Sequence, residues 1–241
     1  MKILAVDACS KTAAAALCED RALLGEFSVK TGTHSAALLP LIEKLLEASS
    51  LNVSDLDLLV STVGPGSFTG VRIGVSTVKG LAFAGKTPCV GVSTLEAMAA
   101  QFAGLSGLVV PNLDARRGLV YAAIFRSSEN GVVRLTEDGQ ISSEELVSAL
   151  GEYPGEPVYF TGDYGAEHFA FDAGRVRAVP ERLKAVSAYG AAVLGYEIIS
   201  AARAQNEGDI PDGFSDAALA PVYLKKSQAE QDREERLAAG K

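Results

Sequence analysis

Residues 64–74, GPGSFTGVRIG, lie between a short apolar run and a long segment without proline. The apolar run, residues 56–63, has the length and composition of a buried parallel strand. Residues 68–84 predict a helix, because a Pro-Gly pair supplies a turn before it and Ser67 supplies an oxygen that can cap its first turn. The sequence therefore predicts a strand, a glycine-rich loop and a helix whose first backbone N–H groups face the loop.

A glycine-rich loop before a helix is also typical of phosphate sites, because free N–H groups and the helix dipole favour an anion. This loop matches neither common phosphate motif. A P-loop ends in Gly-Lys-Ser/Thr, whereas Gly70 is followed by Val71 and Arg72. The dinucleotide fingerprint needs G-x-G-x-x-G, and the spacing here is one residue too long. The loop by itself does not predict a bound nucleotide.

The predicted helix is apolar on nearly all sides, which indicates that two neighbours pack against it. One stripe consists mostly of small residues and includes Gly70, Gly74 and Thr77. A neighbouring helix, from this chain or from a second one, could approach closely over these glycines. A helix buried entirely inside its own chain is the alternative.

Three further segments accompany the glycine-rich stretch: KILAVD at residues 2–7, DARRGLVY at residues 114–121 and PVYLKKS at residues 221–227. Together the four segments resemble the signature of the TsaB (YeaZ) family, which is related to the TsaD/glycoprotease proteins, and the resemblance covers nearly the whole chain. The family pattern has a glutamate where this chain has Leu119. This departure speaks against an acid–base or ion-pair role at that position.

The order of predicted elements indicates the fold class. Residues 2–29 contain three short apolar runs that predict an antiparallel meander, and helices and strands alternate after it. This order is typical of a ribonuclease H-like lobe, whereas a doubly wound fold would start with βαβ. A similar order restarts near residue 104 and includes a predicted strand over residues 119–126. We therefore predict an α/β protein with two ribonuclease H-like (actin-like ATPase, ASKHA) lobes and mixed sheets, as the resemblance also implies. The lobes are residues 1–103 and a reduced 104–225, before a charged tail, 226–241.

Composition bounds the location and the partners of the chain. Its 241 residues contain no apolar stretch of about 20 residues that could span a membrane, and no signal-peptide h-region follows Met1. We therefore expect a cytoplasmic protein. The formal charge of −8 argues against direct binding of nucleic acid, which depends on clustered Lys and Arg. The three cysteines, Cys9, Cys18 and Cys89, are expected to be reduced and buried.

Asp7 ends the first predicted strand, at the position where actin-like ATPases and sugar kinases carry an aspartate that orients metal-bound water. In those proteins a glycine-containing hairpin follows and holds phosphate, whereas residues 8–12, ACSKT, contain no glycine. The backbone here cannot easily approach a triphosphate. We predict a degenerate nucleotide site with weak or no ATP binding, formed by Asp7, Ser10, Gly162 and Asp163.

The sequence offers no clear catalytic or metal-binding set. The two histidines, His34 and His168, fall in different lobes and form neither H-E-x-x-H nor H-x-x-x-H, and no serine lies in G-x-S-x-G. A resident metal or cofactor, peptidase activity and any catalytic residue are therefore not expected. Asp114, Arg116 and Tyr121 either line the cleft between the lobes or a partner surface, or form an internal Asp–Arg pair.

The resemblance implies a non-catalytic subunit of the bacterial machinery that makes threonylcarbamoyladenosine beside the tRNA anticodon. A TsaD-type catalytic subunit would carry the ATP or ADP and the metal, a TsaE-type ATPase would assist, and the tRNA would be reached through the complex. The main alternative is an active actin-like kinase of small molecules. Alone, the chain is expected to form a homodimer. The interface predicted on the helices of the first lobe consists of His34, Leu38, Leu41, Ile42, Leu45, Gly70, Ile73, Gly74, Thr77 and Leu81.

Overall fold

The structure, a computed structural model, describes residues 1–224, and its first half is built on a five-stranded sheet. The strands lie in the order β3-β2-β1-β4-β5. β1 pairs antiparallel with β2, and β2 with β3, so the predicted meander is confirmed. β4 and β5 continue the sheet in parallel. The strands span β1 (Lys2–Asp7), β2 (Thr12–Glu19), β3 (Ala22–Lys30), β4 (Leu58–Thr62) and β5 (Cys89–Val92).

Two helices, α1 (His34–Ala48) and α2 (Phe68–Gly85), cover one face of this sheet and bury a common apolar core with it. The predicted helix after the glycine-rich loop is confirmed. It begins after Ser67, whose Oγ accepts the backbone N–H of Gly70 at 3.3 Å. A short helix, α3 (Thr94–Ala100), follows β5 and leads the chain to the second sheet.

The second sheet has six strands and packs against two helices, α3 and the later α4. Four of its strands flank the long central strand β6 in the order β10-β7-β6-β8-β9, and β11 pairs with β6 in parallel. The single strand predicted for residues 119–126 is wrong, because Ile124 leaves the ladder and donates its N–H to Thr136 Oγ1 at 2.8 Å. The elements are β6 (Gly107–Arg116), β7 (Leu119–Ala122), β8 (Phe125–Ser128), β9 (Gly131–Arg134), β10 (Gly139–Ser142), α4 (Ser143–Leu150) and β11 (Val158–Gly162).

The last helix, α5 (Ala188–Gln205), returns to the first sheet and covers the face opposite α1 and α2. Ala191, Ala192 and Ile199 are buried there beneath β1 and β4. α5 belongs to the predicted second lobe by its position in the sequence, but it packs on the first sheet. The lobe boundaries stay a prediction, and the predicted tail 226–241 lies outside the described residues. None of the described helices, α2 and α5 included, is both long and apolar enough to cross a membrane.

Candidate functional site

A cavity of about 520 Å³ lies between the two sheets. The hairpin after β1, the start of α2, the β6–β7 turn and residues 222–224 form its walls. This inter-lobe cleft combines charged, hydroxyl and aromatic groups. Its polar and aromatic lining includes Ser10, Lys11, His34, Ser67, Phe68, Asp114, Arg116, Tyr121, Asp163 and Tyr223.

Of the four residues predicted as a degenerate nucleotide site, the structure brings three together in one cavity wall and leaves Asp7 apart. Ser10 and Asp163 line the inter-lobe cleft. Gly162 lines an adjoining cavity of about 570 Å³, whose walls also include Ser10 and Asp163. Asp7 is not among the described residues that line either cavity. Nucleotide binding at these residues stays a prediction.

Asp7 is fully buried beneath the hairpin that follows β1. Its Oδ1 accepts hydrogen bonds from Thr62 Oγ1 at 2.6 Å and from the backbone N–H of Cys9 at 3.2 Å. Its Oδ2 has no hydrogen-bond partner among the described residues. Burial raises the pKa of Asp7 to about 6, although the hydrogen bonds from Thr62 and Cys9 favour the ionised form. The local role of Asp7 is therefore to hold the end of β1 to the end of β4.

The glycine-rich loop lies directly on the hairpin and seals Asp7 beneath it. The backbone N–H of Ser67 donates to the carbonyl oxygen of Cys9 at 2.7 Å. A Cβ on Gly66 would overlap that oxygen, and a Cβ on Gly70 would overlap the carbonyl oxygen of Ala8. Only glycine permits so close an approach of two backbone segments. The start of α2 thus covers the part of the hairpin where phosphate would need to bind to reach Asp7.

Five of the predicted interface residues pack inside the chain. Leu38, Ile42 and Leu45 are 1%, 3% and 2% exposed and belong to the core beneath α1. Gly70 and Gly74 are also buried, and a Cβ on Gly74 would lie 3.3 Å from Ser61 Oγ. The leucine face of α1 and the two glycines of α2, Gly70 and Gly74, face their own sheet. The close approach over the glycines is therefore internal.

The remaining predicted interface residues are accessible to differing degrees. Leu41, Ile73, Thr77 and Leu81 are partly exposed on α1 and α2, which contact each other. His34 lies in the wall of the inter-lobe cleft, where its Nε2 is 2.9 Å from the carbonyl oxygen of Ser10.

On the side of α2 that points away from the sheet, the predicted interface included Ile73 and Thr77 but not the exposed residues around them. Phe83, 77% exposed, stands at its end. It lies seven residues, about two helical turns, after the exposed Ser76, so the helical period of 3.6 residues places both on one side of the helix. We call this surface the α2 outer face; it consists of Thr69, Ile73, Ser76, Thr77, Gly80, Phe83 and Ala84.

Asp114, Arg116 and Tyr121 all line the inter-lobe cleft, as one of the two alternatives proposed. Asp114 Oδ1 accepts the backbone N–H of Arg116 at 2.7 Å, so the carboxylate stabilises the β6–β7 turn. Arg116 has a φ of 65°, a left-handed conformation that costs a non-glycine residue free energy. Burial raises the pKa of Tyr121, which keeps its hydroxyl group neutral.

Cys9 lies in the wall of the cleft, but its surroundings disfavour the reactive thiolate form of its side chain. It is almost fully buried, and burial raises the pKa of its thiol to about 12, with the charge of Asp7 adding to the effect. All three cysteines are buried and free. Within residues 1–224, no three His, Cys, Asp or Glu side chains come together as a metal-binding group would require.

Two sheets that each begin with antiparallel strands, and a cleft between their first hairpins, define an α/β protein of the actin-like class. Residues 29–231 match the family model described as TsaD: tRNA N6-adenosine threonylcarbamoyltransferase. The chain superimposes on YeaZ from Pseudomonas aeruginosa with a TM-score of 0.74 and 24% identity, over 92% of this chain and 99% of that one. This likeness confirms the predicted fold class.

Two curated relatives carry the name tRNA threonylcarbamoyladenosine biosynthesis protein TsaB. The Escherichia coli protein is 36% identical over 149 residues, which are 61% of this chain and 64% of the relative. The match therefore spans slightly less than two thirds of that relative's length. The Bacillus subtilis protein is 34% identical over 163 residues, which are 67% of this chain and 71% of the relative. The chain therefore belongs to the TsaB (YeaZ) family.

Proposed function

We propose that this chain works in the biosynthesis of tRNA threonylcarbamoyladenosine as a non-catalytic subunit that binds and activates a TsaD-type catalytic subunit. The observation that carries the proposal is the sealing of Asp7: the start of α2 covers the hairpin, so the carboxylate has no access to the inter-lobe cleft. The names of the curated relatives support the process. Nucleotide and metal are assigned to the TsaD-type partner, with a TsaE-type ATPase in the complex.

A reconstituted reaction tests this assignment. TsaD-type and TsaE-type proteins, tRNA and the small-molecule substrates are assayed for tRNA modification with and without this chain. We expect modification to require the chain, and the Asp7→Ala variant to support it as well as the wild-type chain does, provided that the variant is folded. Full modification without the chain would contradict the proposal.

Isolated chain is expected to bind ATP weakly or not at all, with a dissociation constant no tighter than about 1 mM. The physical reason is that the backbone of the first hairpin, which would have to hold phosphate, is covered by Ser67 and Gly70. Titration calorimetry with Mg-ATP measures this directly. Micromolar affinity that Asp7→Ala abolishes would favour the small-molecule kinase instead.

The partner surface is proposed to be the α2 outer face together with Leu41 of α1. Its middle consists of small side chains, so a partner helix can approach closely, and Phe83 offers a large apolar group for a pocket. An exposed apolar surface of this kind is typical of a protein interface. Without the TsaD-type subunit, two copies of the chain would pair through the same face. The tRNA would then be bound mainly by the partner.

Thr77→Arg is expected to weaken binding of the TsaD-type subunit by about 100-fold or more, because it inserts a charge and bulk at the centre of the proposed surface. Thr77 is only partly buried, so the variant should remain folded. Titration calorimetry gives the affinity, size-exclusion chromatography gives the oligomeric state and circular dichroism checks the fold. Ser148→Arg, on the exposed side of α4, is the matched control and should bind like the wild type. Unchanged affinity of Thr77→Arg would place the interface elsewhere.

A further inference from the structure

The two sheets are joined firmly on the side of α3. At its start, Ser93 Oγ donates to Asp138 at 2.6 Å. Arg134 of the second sheet bridges Glu96 at 2.8 Å and Asp138 at 2.6 Å. Beneath these polar contacts is a fully buried cluster of Leu95, Met98, Phe102, Val109 and Phe125. The chain crosses between the sheets just after α3 and crosses back between β11 and α5.

Across the cleft, the first hairpin reaches the second sheet through an ion pair. Lys11 Nζ lies 3.1 Å from Asp163 Oδ2. The second sheet fixes Asp163 in place: its Oδ1 accepts the backbone N–H of Asp114 at 2.9 Å, and its own N–H donates to the carbonyl oxygen of Asn112 at 3.2 Å. Lys11, in contrast, extends from a turn at the end of β1. The pair therefore joins a carboxylate held by the second sheet to a largely exposed cation.

The same ion pair stands where two cavities meet. Ser10, Lys11, Leu113 and Asp163 line both the inter-lobe cleft of about 520 Å³ and the adjoining cavity of about 570 Å³. Each volume lies within the range of small-molecule sites. Separation of Lys11 from Asp163 would remove part of the common wall.

We propose that the Lys11–Asp163 ion pair is a latch, and that the second sheet opens about α3 when the latch breaks, so that the two cavities become one cleft. The side chains of Lys11 and Asp163 are 65% and 27% exposed, and an ion pair in such surroundings adds little to stability and is screened by salt. The contacts at α3 are buried and remain. The latch thus sets how often the cleft opens, and a bound partner or small molecule can shift that equilibrium. This goes beyond the proposed function and does not depend on it.

Distances between two spin labels test the latch. Labels are attached to Glu43→Cys on α1 and Ser148→Cys on α4, two exposed positions on different sheets, while the native cysteines are buried. We expect Lys11→Ala to raise the population of the long-distance state by up to about five-fold, as loss of one exposed ion pair allows. Lys11→Glu should raise it further through repulsion, and Lys11→Arg should match the wild type. The screening length is about 10 Å at an ionic strength of about 0.1 M, and it is shorter still at 1 M salt. Salt at 1 M should therefore raise the population of the long-distance state in the wild type but leave that population unchanged in Lys11→Ala.

Lys184→Ala is the matched control. Lys184 lines the adjoining cavity but pairs at 2.9 Å with Glu181 in the same part of the chain, so its loss should leave the distances unchanged. Circular dichroism checks that each labelled variant is folded. A wild-type distance distribution in Lys11→Glu would overturn the latch, and so would an equal shift in Lys184→Ala.

Discussion

Gly70→Ala is expected to destabilise the chain by at least about 3 kcal/mol, a large part of the 5–15 kcal/mol that stabilises a typical domain. The added methyl group would overlap the carbonyl oxygen of Ala8 and lie 3.0 Å from its carbonyl carbon. Neither backbone can easily move, because Ala8 directly follows β1 and Gly70 lies in the first turn of α2. Relief therefore requires α2 to separate from the sheet. Urea denaturation followed by circular dichroism measures the loss.

Gly80→Ala, in the same helix, is the matched control. A Cβ at Gly80 would meet nothing within 4 Å, and Gly80 is exposed. Alanine there should stabilise the helix by about 0.5–1 kcal/mol, because the unfolded chain loses conformational freedom. If Gly70→Ala instead unfolds at the urea concentration of the wild type, α2 does not lie on the hairpin. Asp7 would then not be sealed beneath the start of α2.

The parts of the fold that depend on local signals could be predicted. The capping oxygen of Ser67, the Pro-Gly turn before it and the absence of proline after it define α2 within a residue or two. Short apolar runs separated by turn residues likewise define the meander of β1, β2 and β3. These signals act between residues close in sequence, so no knowledge of the tertiary contacts is needed to read them.

The partners of a helix face could not be predicted, because they are distant in sequence. Small residues at Gly70 and Gly74 correctly indicate a close approach of two backbones, but not that the neighbour is the chain's own hairpin. The apolar face of α1, with Leu38 and Leu45, is the pattern that any helix buries against its own sheet. Hydrophobic periodicity therefore identifies the buried face of a helix but not the neighbour that covers it.

The wall of the cleft also contains contacts between residues that are distant in sequence, which the sequence could not predict. Arg72 Nε donates to Tyr223 Oη at 2.8 Å, and the ring of Phe68 lies 4.9 Å from that of Tyr223. The guanidinium group of Arg72 also stacks over Phe68, at 3.8 Å from the ring centroid. A contact across some 150 positions of sequence leaves no periodic signal, so the fixing of residues 222–224 against α2 follows only from the structure. Lys11, likewise, looked like an ordinary turn residue.

The stability of Asp7→Asn relative to the wild type is expected to be highest at pH 8 and to decrease as the pH falls. Burial raises the pKa of Asp7 from 3.8 to about 6, so the folded chain holds a proton that the unfolded chain has released between these pH values. The free energy of unfolding of the wild type therefore falls as the pH rises through this window and is level above it. A shift of about two pKa units corresponds to roughly 3 kcal/mol. Asparagine does not titrate and lacks this dependence.

The pH dependence isolates the charge of Asp7 from other effects of the substitution. An amide at this position can still accept from Thr62 but leaves a buried N–H₂ group without an evident partner, and that cost is the same at every pH. Urea denaturation gives the free energy of unfolding of the variant minus that of the wild type at each pH. We expect this difference to be roughly 2–3 kcal/mol larger at pH 8 than at pH 4. Asp212→Asn, at an exposed position, should follow the wild type throughout. If the difference in unfolding free energy stays constant with pH, the carboxylate has an ionic partner or contact with solvent. Asp7 would then be a candidate for a site in the cleft again.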